Sequence, residues 1–320
     1  MSALTLLVTA DPSAPYLKAL DRLPSETRVI ASGDPAVLAK AAPEADVVLN
    51  GEFKDPRLFQ QTFPLATRMR WAHNLSAGVE HVLSPEIIAS PVPLTNGRGV
   101  FRRPLAEWAV GAMLYFLYDF RRLVRQQEAG VWSDFDIGEL AEKTVGIVGY
   151  GEIGKAVAER AKPFGCRICA LRRKTAPDPL VDLAFQPAQI DEMLAACDFV
   201  VASAPLTPET RGLIGPRQIA VLKPSAVVIN VGRGPVIDEA SLVAALEAKK
   251  IRGAALDVFT VEPLPAGHAF YKLQNVLLSP HSADHTAGWK DLAVQCFLDN
   301  FARFVKGEPL ENVVDKHAGY

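Results

Sequence analysis

The chain is poor in sulfur, in charge of either sign in excess, and in long apolar runs, and each shortage closes off a class of protein. Four cysteines, Cys166, Cys169, Cys197 and Cys296, are spread over the second half of 320 residues. That is too few and too scattered for a disulfide framework, so a reducing compartment, the cytoplasm, is expected. Cys166 and Cys169 form a C-x-x-C inside the apolar run "CRICAL", but residues three apart on a strand point to opposite faces. No second pair completes a metal site, and none is expected. The formal net charge is −2 with no basic or acidic block, which disfavours nucleic acid as a partner and a disordered tail as a feature. The longest uncharged stretch of "PLAEWAVGAMLYFLYDF" runs from Trp108 to Tyr118. This falls well short of the roughly 20 residues that cross a bilayer, so a buried helix and no membrane association are expected. The opening "MSALTLLVTADPS" lacks the cationic start of an export signal and reads as a first strand.

What is present is alternation. Short β-branched or apolar runs, "LTLLVT", "TRVIA", "ADVVLN" and "MRWAHN", are separated by the helical patterns "PYLKALDRL", "PAVLAKAA" and "PRLFQQ". The alternation restarts at "TVGIVG" and continues through "CRICAL", "DFVVASA", "AVVINV" and "GAALDVF" to "NVLLSPH". Strand and helix in turn predict parallel sheets covered on both faces, and two such series predict two α/β domains. A long helical segment from about Pro104 to Gly130 joins them, preceded by a hinge-like "NGRG" at 96–99. The last stretch, "WKDLAVQCFLDNFARFVKG", reads as a helix returning to the first domain.

Between strand "TVGIV" and helix "IGKAVAERAKPFG" stands Gly149-Tyr150-Gly151-Glu152-Ile153-Gly154, a G-x-G-x-x-G. In that context the glycines predict dinucleotide binding. The first permits a tight turn, the second lets backbone approach a pyrophosphate, and the third lets helix and strand pack closely. The helix N-terminus holds the negative charge. The acid that usually meets the adenosine ribose is replaced by "ALRRK", in which Arg172 stands eighteen residues beyond Gly154. Arg172, Arg173 and Lys174 would attract a 2′-phosphate through charge-assisted hydrogen bonds, so NADP is the preferred cofactor and NAD a possible one.

Three later strands run into loops bearing Arg233, Asp257 with Glu262, and His281. Open parallel sheets bind ligands at such carboxyl edges. An arginine clamps a carboxylate through two parallel hydrogen bonds. A histidine gives a proton to a carbonyl oxygen near working pH, and a neighbouring carboxylate favours its imidazolium form.

With these groups in place the chain resembles the D-2-hydroxyacid dehydrogenase family, glyoxylate and hydroxypyruvate reductases included. The likeness is carried by "NLSAGVEHV", "PLAEWAVGAMLYF", the glycine segment, "APLTPETRGLI", "INVGRGPVIDEASLVAAL", "GAALDVFTVEPLP", "LSPH" and "LENVVDKHAGY". The resemblance implies two doubly wound domains, a Rossmann cofactor domain (99–286) inserted in a flavodoxin-like substrate domain (1–98 and 287–320). It implies that Arg233 binds the substrate carboxylate, His281 is the acid–base, and Glu262 supports it. It further implies carboxylate binding by the backbone of Ser76, Ala77 and Gly78, and a bond from Asp257 to the nicotinamide amide. Ala204, Pro205 and Val231 would complete the cofactor contacts of Gly149, Gly151, Glu152, Ile153 and Gly154. The implied activity is hydride transfer between NAD(P)(H) and a small 2-oxo or 2-hydroxy acid, by a homodimer joined through its cofactor domains. A dinucleotide-sensing or co-repressor-like module is the alternative of another class. Oxidation of a formate- or phosphite-like donor is a third reading, disfavoured by the absence of long insertions. Leu75, Ser76, Arg98 and Phe101 are pocket walls or packing residues by position. His285 departs from the family pattern and either lines the site or serves a hinge or surface role.

Overall fold

The computed structural model describes residues 4–53, 55–173 and 177–320. The chain divides into two compact units, Met1–Phe101 with Ala287–Tyr320, and Arg102–Thr286.

In the first unit, β1 (Thr5–Thr9), β2 (Arg28–Ser32), β3 (Val47–Asn50), β4 (Trp71–Asn74) and β5 (Leu94–Asn96) form a parallel sheet in the order β2-β1-β3-β4-β5. This is the flavodoxin-like order, with its switch point between β1 and β3. β1, β3 and β4 are buried along their whole length, as strands covered on both faces must be. One core gathers Leu7, Val48, Ala72 and Leu94 with Leu38, Phe59 and Ile87 from the helices. Asp34 and Ser84 cap two of those helices, Asp34 accepting from the Ala36 N–H at 2.8 Å. The helix Trp289–Lys306 stacks Phe297 on Trp71 with ring centroids 5.2 Å apart. At the chain's end the Lys316 ammonium donates to the carbonyls of Ile87, Ser90 and Val92, closing the helix Pro85–Ala89.

In the second unit, β6 (Thr144–Val148), β7 (Arg167–Leu171), β8 (Leu183–Phe185), β9 (Phe199–Ala202), β10 (Val227–Asn230), β11 (Gly253–Leu256) and β12 (Val276–Leu278) form a second parallel sheet, ordered β12-β11-β10-β9-β6-β7-β8. Read from β6, this is the Rossmann order with one strand added at the far edge. Its core joins Val148, Val200, Val228, Ala254 and Val276 to Met193, Leu194 and Leu246.

Four elements differ from the sequence expectation. The segment 104–130 is two helices, Arg102–Leu117 and Phe120–Glu128, because Asp119 turns left-handed at φ 47° and caps the second through the Arg122 N–H. "PYLKALDRL" forms a 3₁₀ helix, Pro15–Arg22. β5 and β8, three residues each, were not anticipated, since such short runs carry no readable period. No described helix is long and apolar enough to cross a membrane.

Candidate active site

At the carboxyl edge of the second sheet the chain leaves β6 through Gly149 at φ 96°, and a Cβ there would strike the Ala204 backbone. Only glycine makes this turn. Gly151 is the N-cap of the helix Glu152–Ala161 and makes no side-chain cap, and nothing lies within 4 Å of where its Cβ would stand. Among the described residues no hydrogen bond engages the N–H groups of Glu152, Ile153 and Gly154, and such a cradle fits a pyrophosphate. Glu152, Ile153 and Gly154 form that first turn, with Arg102 3.6 Å from the Glu152 carboxylate. Ala204 and Pro205 follow β9, and Val231 follows β10 with its N–H on the Ala202 carbonyl at 3.0 Å. Arg172, just past β7, lies with Cζ 5.3 Å from the centre of the Tyr150 ring, so the basic turn borders the glycine loop. Arg173 is exposed beside it, and Lys174 lies outside the described residues.

The loop after β10 carries Arg233. Asn230, the last residue of the strand, accepts from the Gly232 N–H at 3.1 Å and donates to the Arg233 carbonyl at 3.1 Å. A Cβ on Gly234 would overlap the Phe259 carbonyl, so glycine brings this loop against the segment after β11.

That segment carries Glu262, which uses both oxygens. One accepts from the Phe259 N–H at 2.9 Å, and the other lies 2.6 Å from His281 Nδ1. Burial pushes the Glu262 carboxyl up, but the His281 and Phe259 hydrogen bonds and the charges of His281 and Arg233 outweigh it and hold it below its ordinary value. The Glu262 hydrogen bond in turn raises His281 against burial and the Arg233 charge. With Glu262 ionised, Nδ1 donates to it, and Nε2 has no hydrogen-bond partner among the described residues. A charged imidazole held by one nitrogen and open at the other is equipped to give a proton.

His281 has a left-handed backbone, φ 51°, a conformation disfavoured for a residue with a Cβ. What holds it is Asp257, which is 1% exposed. Its carbonyl accepts from the His281 N–H at 2.8 Å, and its Oδ1 accepts from Ser282 and Ala283 at 2.9 and 3.0 Å. Three consecutive N–H groups of the histidine turn end on this one residue. Beyond the turn His285 Nε2 stands 3.7 Å from Asp284, whose carboxyl burial raises against the charge of His285. Among the described residues no cluster of three or more His, Cys, Asp or Glu is disposed to hold a metal.

At the carboxyl edge of the first sheet, Ser76, Ala77 and Gly78 follow β4. The Asn74 amide donates to the Ser76 and Gly78 carbonyls at 2.9 and 3.1 Å, and Asn96 donates to the Ala77 carbonyl at 2.6 Å. With its carbonyls tied inward, the loop keeps its N–H groups for other partners. Of the pocket candidates, Leu75 and Phe101 are buried, Ser76 is half-buried and Arg98 exposed.

The asparagines and the Asp257 clamp were missed by sequence reasoning. A signal existed: β3, β4, β5 and β10 all end in asparagine, a short side chain that hydrogen-bonds nearby backbone.

A family model described as "D-isomer specific 2-hydroxyacid dehydrogenase, NAD binding domain" matches residues 110–283, just over half of the chain. The chain is 33% identical over 272 residues to a glyoxylate reductase of Thermococcus gammatolerans, covering 81% of this chain and 80% of that one. It is 31% identical over 294 residues to glyoxylate/hydroxypyruvate reductase B of Yersinia enterocolitica, covering 89% of each. Among solved structures it is similar to an NADPH-dependent glyoxylate/hydroxypyruvate reductase of Sinorhizobium meliloti in complex with NADP and sulfate. The TM-score there is 0.86 and the identity 30%, over 99% of this chain and 100% of that one.

Proposed function

The chain belongs to the D-isomer specific 2-hydroxyacid dehydrogenase family, and on that premise we propose that it reduces small 2-oxo acids of the glyoxylate and hydroxypyruvate kind, with NADP(H) preferred to NAD(H). The observation that carries the reading is the His281–Glu262 pair, 2.6 Å apart, on the same sheet edge as the glycine cradle. The dinucleotide, held at Gly149, Gly151 and the helix that follows, supplies hydride when bound. His281 protonates the carbonyl oxygen from Nε2 and is left as neutral imidazole, and the Glu262 carboxylate stabilises the imidazolium before the transfer and again when solvent returns the proton. Arg233 takes the carboxylate of the acid through its two-pronged guanidinium. For the first unit the backbone of Ser76, Ala77 and Gly78 is assigned to carboxylate binding, and Asp257 Oδ2 remains for the nicotinamide amide. The two curated relatives named above are reductases by name, which favours the reductase reading over the dinucleotide-sensing one.

The cofactor preference rests on Arg172 and Arg173 standing where a carboxylate would repel a 2′-phosphate, with Arg172 braced over Tyr150. We further propose a cytoplasmic homodimer. Trp132 is 101% exposed, with Val131 and Ile137 beside it and Phe120, Leu123 and Val124 exposed on the preceding helix. So much apolar surface on one segment suits a contact between copies, which sedimentation of the purified chain reads directly as one or two protomers. The function is tested by kcat/KM for glyoxylate and hydroxypyruvate with NADPH and with NADH, in the native chain and in Arg172→Asp. The native chain should favour NADPH by tenfold or more, about 1.4 kcal/mol, and Arg172→Asp should move it toward NADH. No turnover of either acid would end the proposal, and equal use of both cofactors would return the basic turn to the solvated surface.

A further inference from the structure

The first unit carries a cation that has no ion-pair partner among the described residues. Lys290 is the second residue of the helix Trp289–Lys306. A positive charge there meets the positive end of the helix dipole. Its ammonium lies 5.1 Å from the ring centre of Tyr16, 5.8 Å from Phe53 and 5.3 Å from Trp289, and the side chain is half-buried among them. Among the described residues no carboxylate forms an ion pair with it. Glu52 and Asp11 act on Tyr16 and raise its hydroxyl to about 12, after burial, but neither pairs with Lys290. Aromatic faces attract a cation without consuming its N–H donors. The ammonium is thus desolvated on the ring side and free to donate on the other.

Its position is that of a ligand site. Tyr16 follows β1 and Phe53 follows β3, the neighbouring strands at which this sheet reverses its winding. Open α/β sheets bind ligands at that switch point, outside the carboxyl ends. The cluster is rigid: Phe53 meets Tyr16 and Trp289 edge-on at 5.8 and 4.7 Å, Trp289 meets Phe101 at 6.0 Å, and the Tyr16 hydroxyl donates to the Gly51 carbonyl at 3.1 Å. It also touches the loop assigned to the substrate carboxylate, since Ser76 Oγ donates to the Phe53 carbonyl at 3.5 Å.

We propose that Lys290, framed by Tyr16, Phe53 and Trp289, binds a second anionic group at the far end of the substrate, so that the chain selects 2-oxo acids bearing a distal carboxylate. The inference rests on the reductase reading above and names its substrate class. A distal carboxylate replaces the missing counter-ion, and the ring frame shields the pair from water, where such an attraction is strongest. A neutral substituent of the same shape leaves the ammonium as it was.

The test compares 2-oxoglutarate with its uncharged 5-amide, 2-oxoglutaramate, as the ratio of kcat/KM under saturating NADPH. The native chain should favour the diacid by tenfold or more, Lys290→Met should bring the ratio near one, and Lys290→Arg should restore most of it. A native ratio near one, or a ratio indifferent to Lys290→Met, overturns the inference while leaving the reductase reading intact. Calorimetric titration with glutarate, which has no 2-oxo group to reduce, separates the two. If no 2-oxo acid is turned over, the reductase reading fails, and glutarate binding weakened tenfold or more by Lys290→Met still upholds the anion site. Glutarate binding that is absent or unchanged in that variant removes it.

Discussion

At the edge of the first sheet, Asn74 and Asn96 tie down the loop after β4 through its carbonyls, and at the edge of the second sheet Asn230 does the same for the loop after β10. The loops so held offer different chemistry. The first presents backbone N–H groups, an aromatic frame and a lysine. The second presents Arg233, Glu262 and His281 within one electrostatic neighbourhood, in which His281 and Arg233 help hold Glu262 below its ordinary value and Glu262 raises His281. On the proposed reading, one edge recognises a shape and a charge and the other moves a proton. The same scaffold device serves both because an asparagine at a strand end fixes a loop whatever that loop carries.

If this division holds, the largest effects belong to the second edge. His281→Ala should lower kcat for reduction by about 10²- to 10⁴-fold, the span a positioned general acid supplies. Arg233→Ala should lower kcat/KM by at least about a hundredfold while cofactor affinity persists. Near-normal turnover of glyoxylate in either variant, in steady-state assays, would break the comparison outright.

A smaller effect sharpens it, through the residue that holds the turn rather than the residue that reacts. Asp257→Ala removes the acceptor of two N–H groups and frees the strained backbone of His281, and kcat should fall about tenfold or more. Asp257→Asn keeps an acceptor at Oδ1 and should keep kcat within a few-fold. If the Oδ2 contact to the nicotinamide amide matters more, the same variant should instead raise the KM for cofactor, and the split between kcat and KM tells the two roles apart.

The subtlest effect is on pH. Glu262 raises His281, so the imidazolium needed for reduction persists to higher pH than in an isolated histidine, and reduction is lost as pH rises through that elevated value. Glu262→Gln removes the charge. The falling limb of reduction and the rising limb of oxidation should both move to lower pH. Profiles that stay in place, measured in the two directions over the same range, would detach Glu262 from the proton transfer.

Alternation of strand and helix and the glycine-bearing strand–helix turn were legible in the chain because each is a local property, and Arg233, Glu262 and His281 stood out there as candidates because their loops follow readable strands. Periodicity is read over a few residues, and a glycine at a strand–helix turn declares the backbone it permits. What only the tertiary structure decided is of another kind. Asp257 and the His281 turn are far apart in sequence and meet because β11 and β12 lie side by side in register. Tyr16, Phe53 and Lys290 converge because β1 and β3 are neighbours and the last helix is part of the same unit. Two three-residue strands and the left-handed break at Asp119 were invisible for the same reason. Their conformations are set by what packs and pairs across the fold, where burial and hydrogen bonds to distant partners outweigh the weak preferences of the residues themselves.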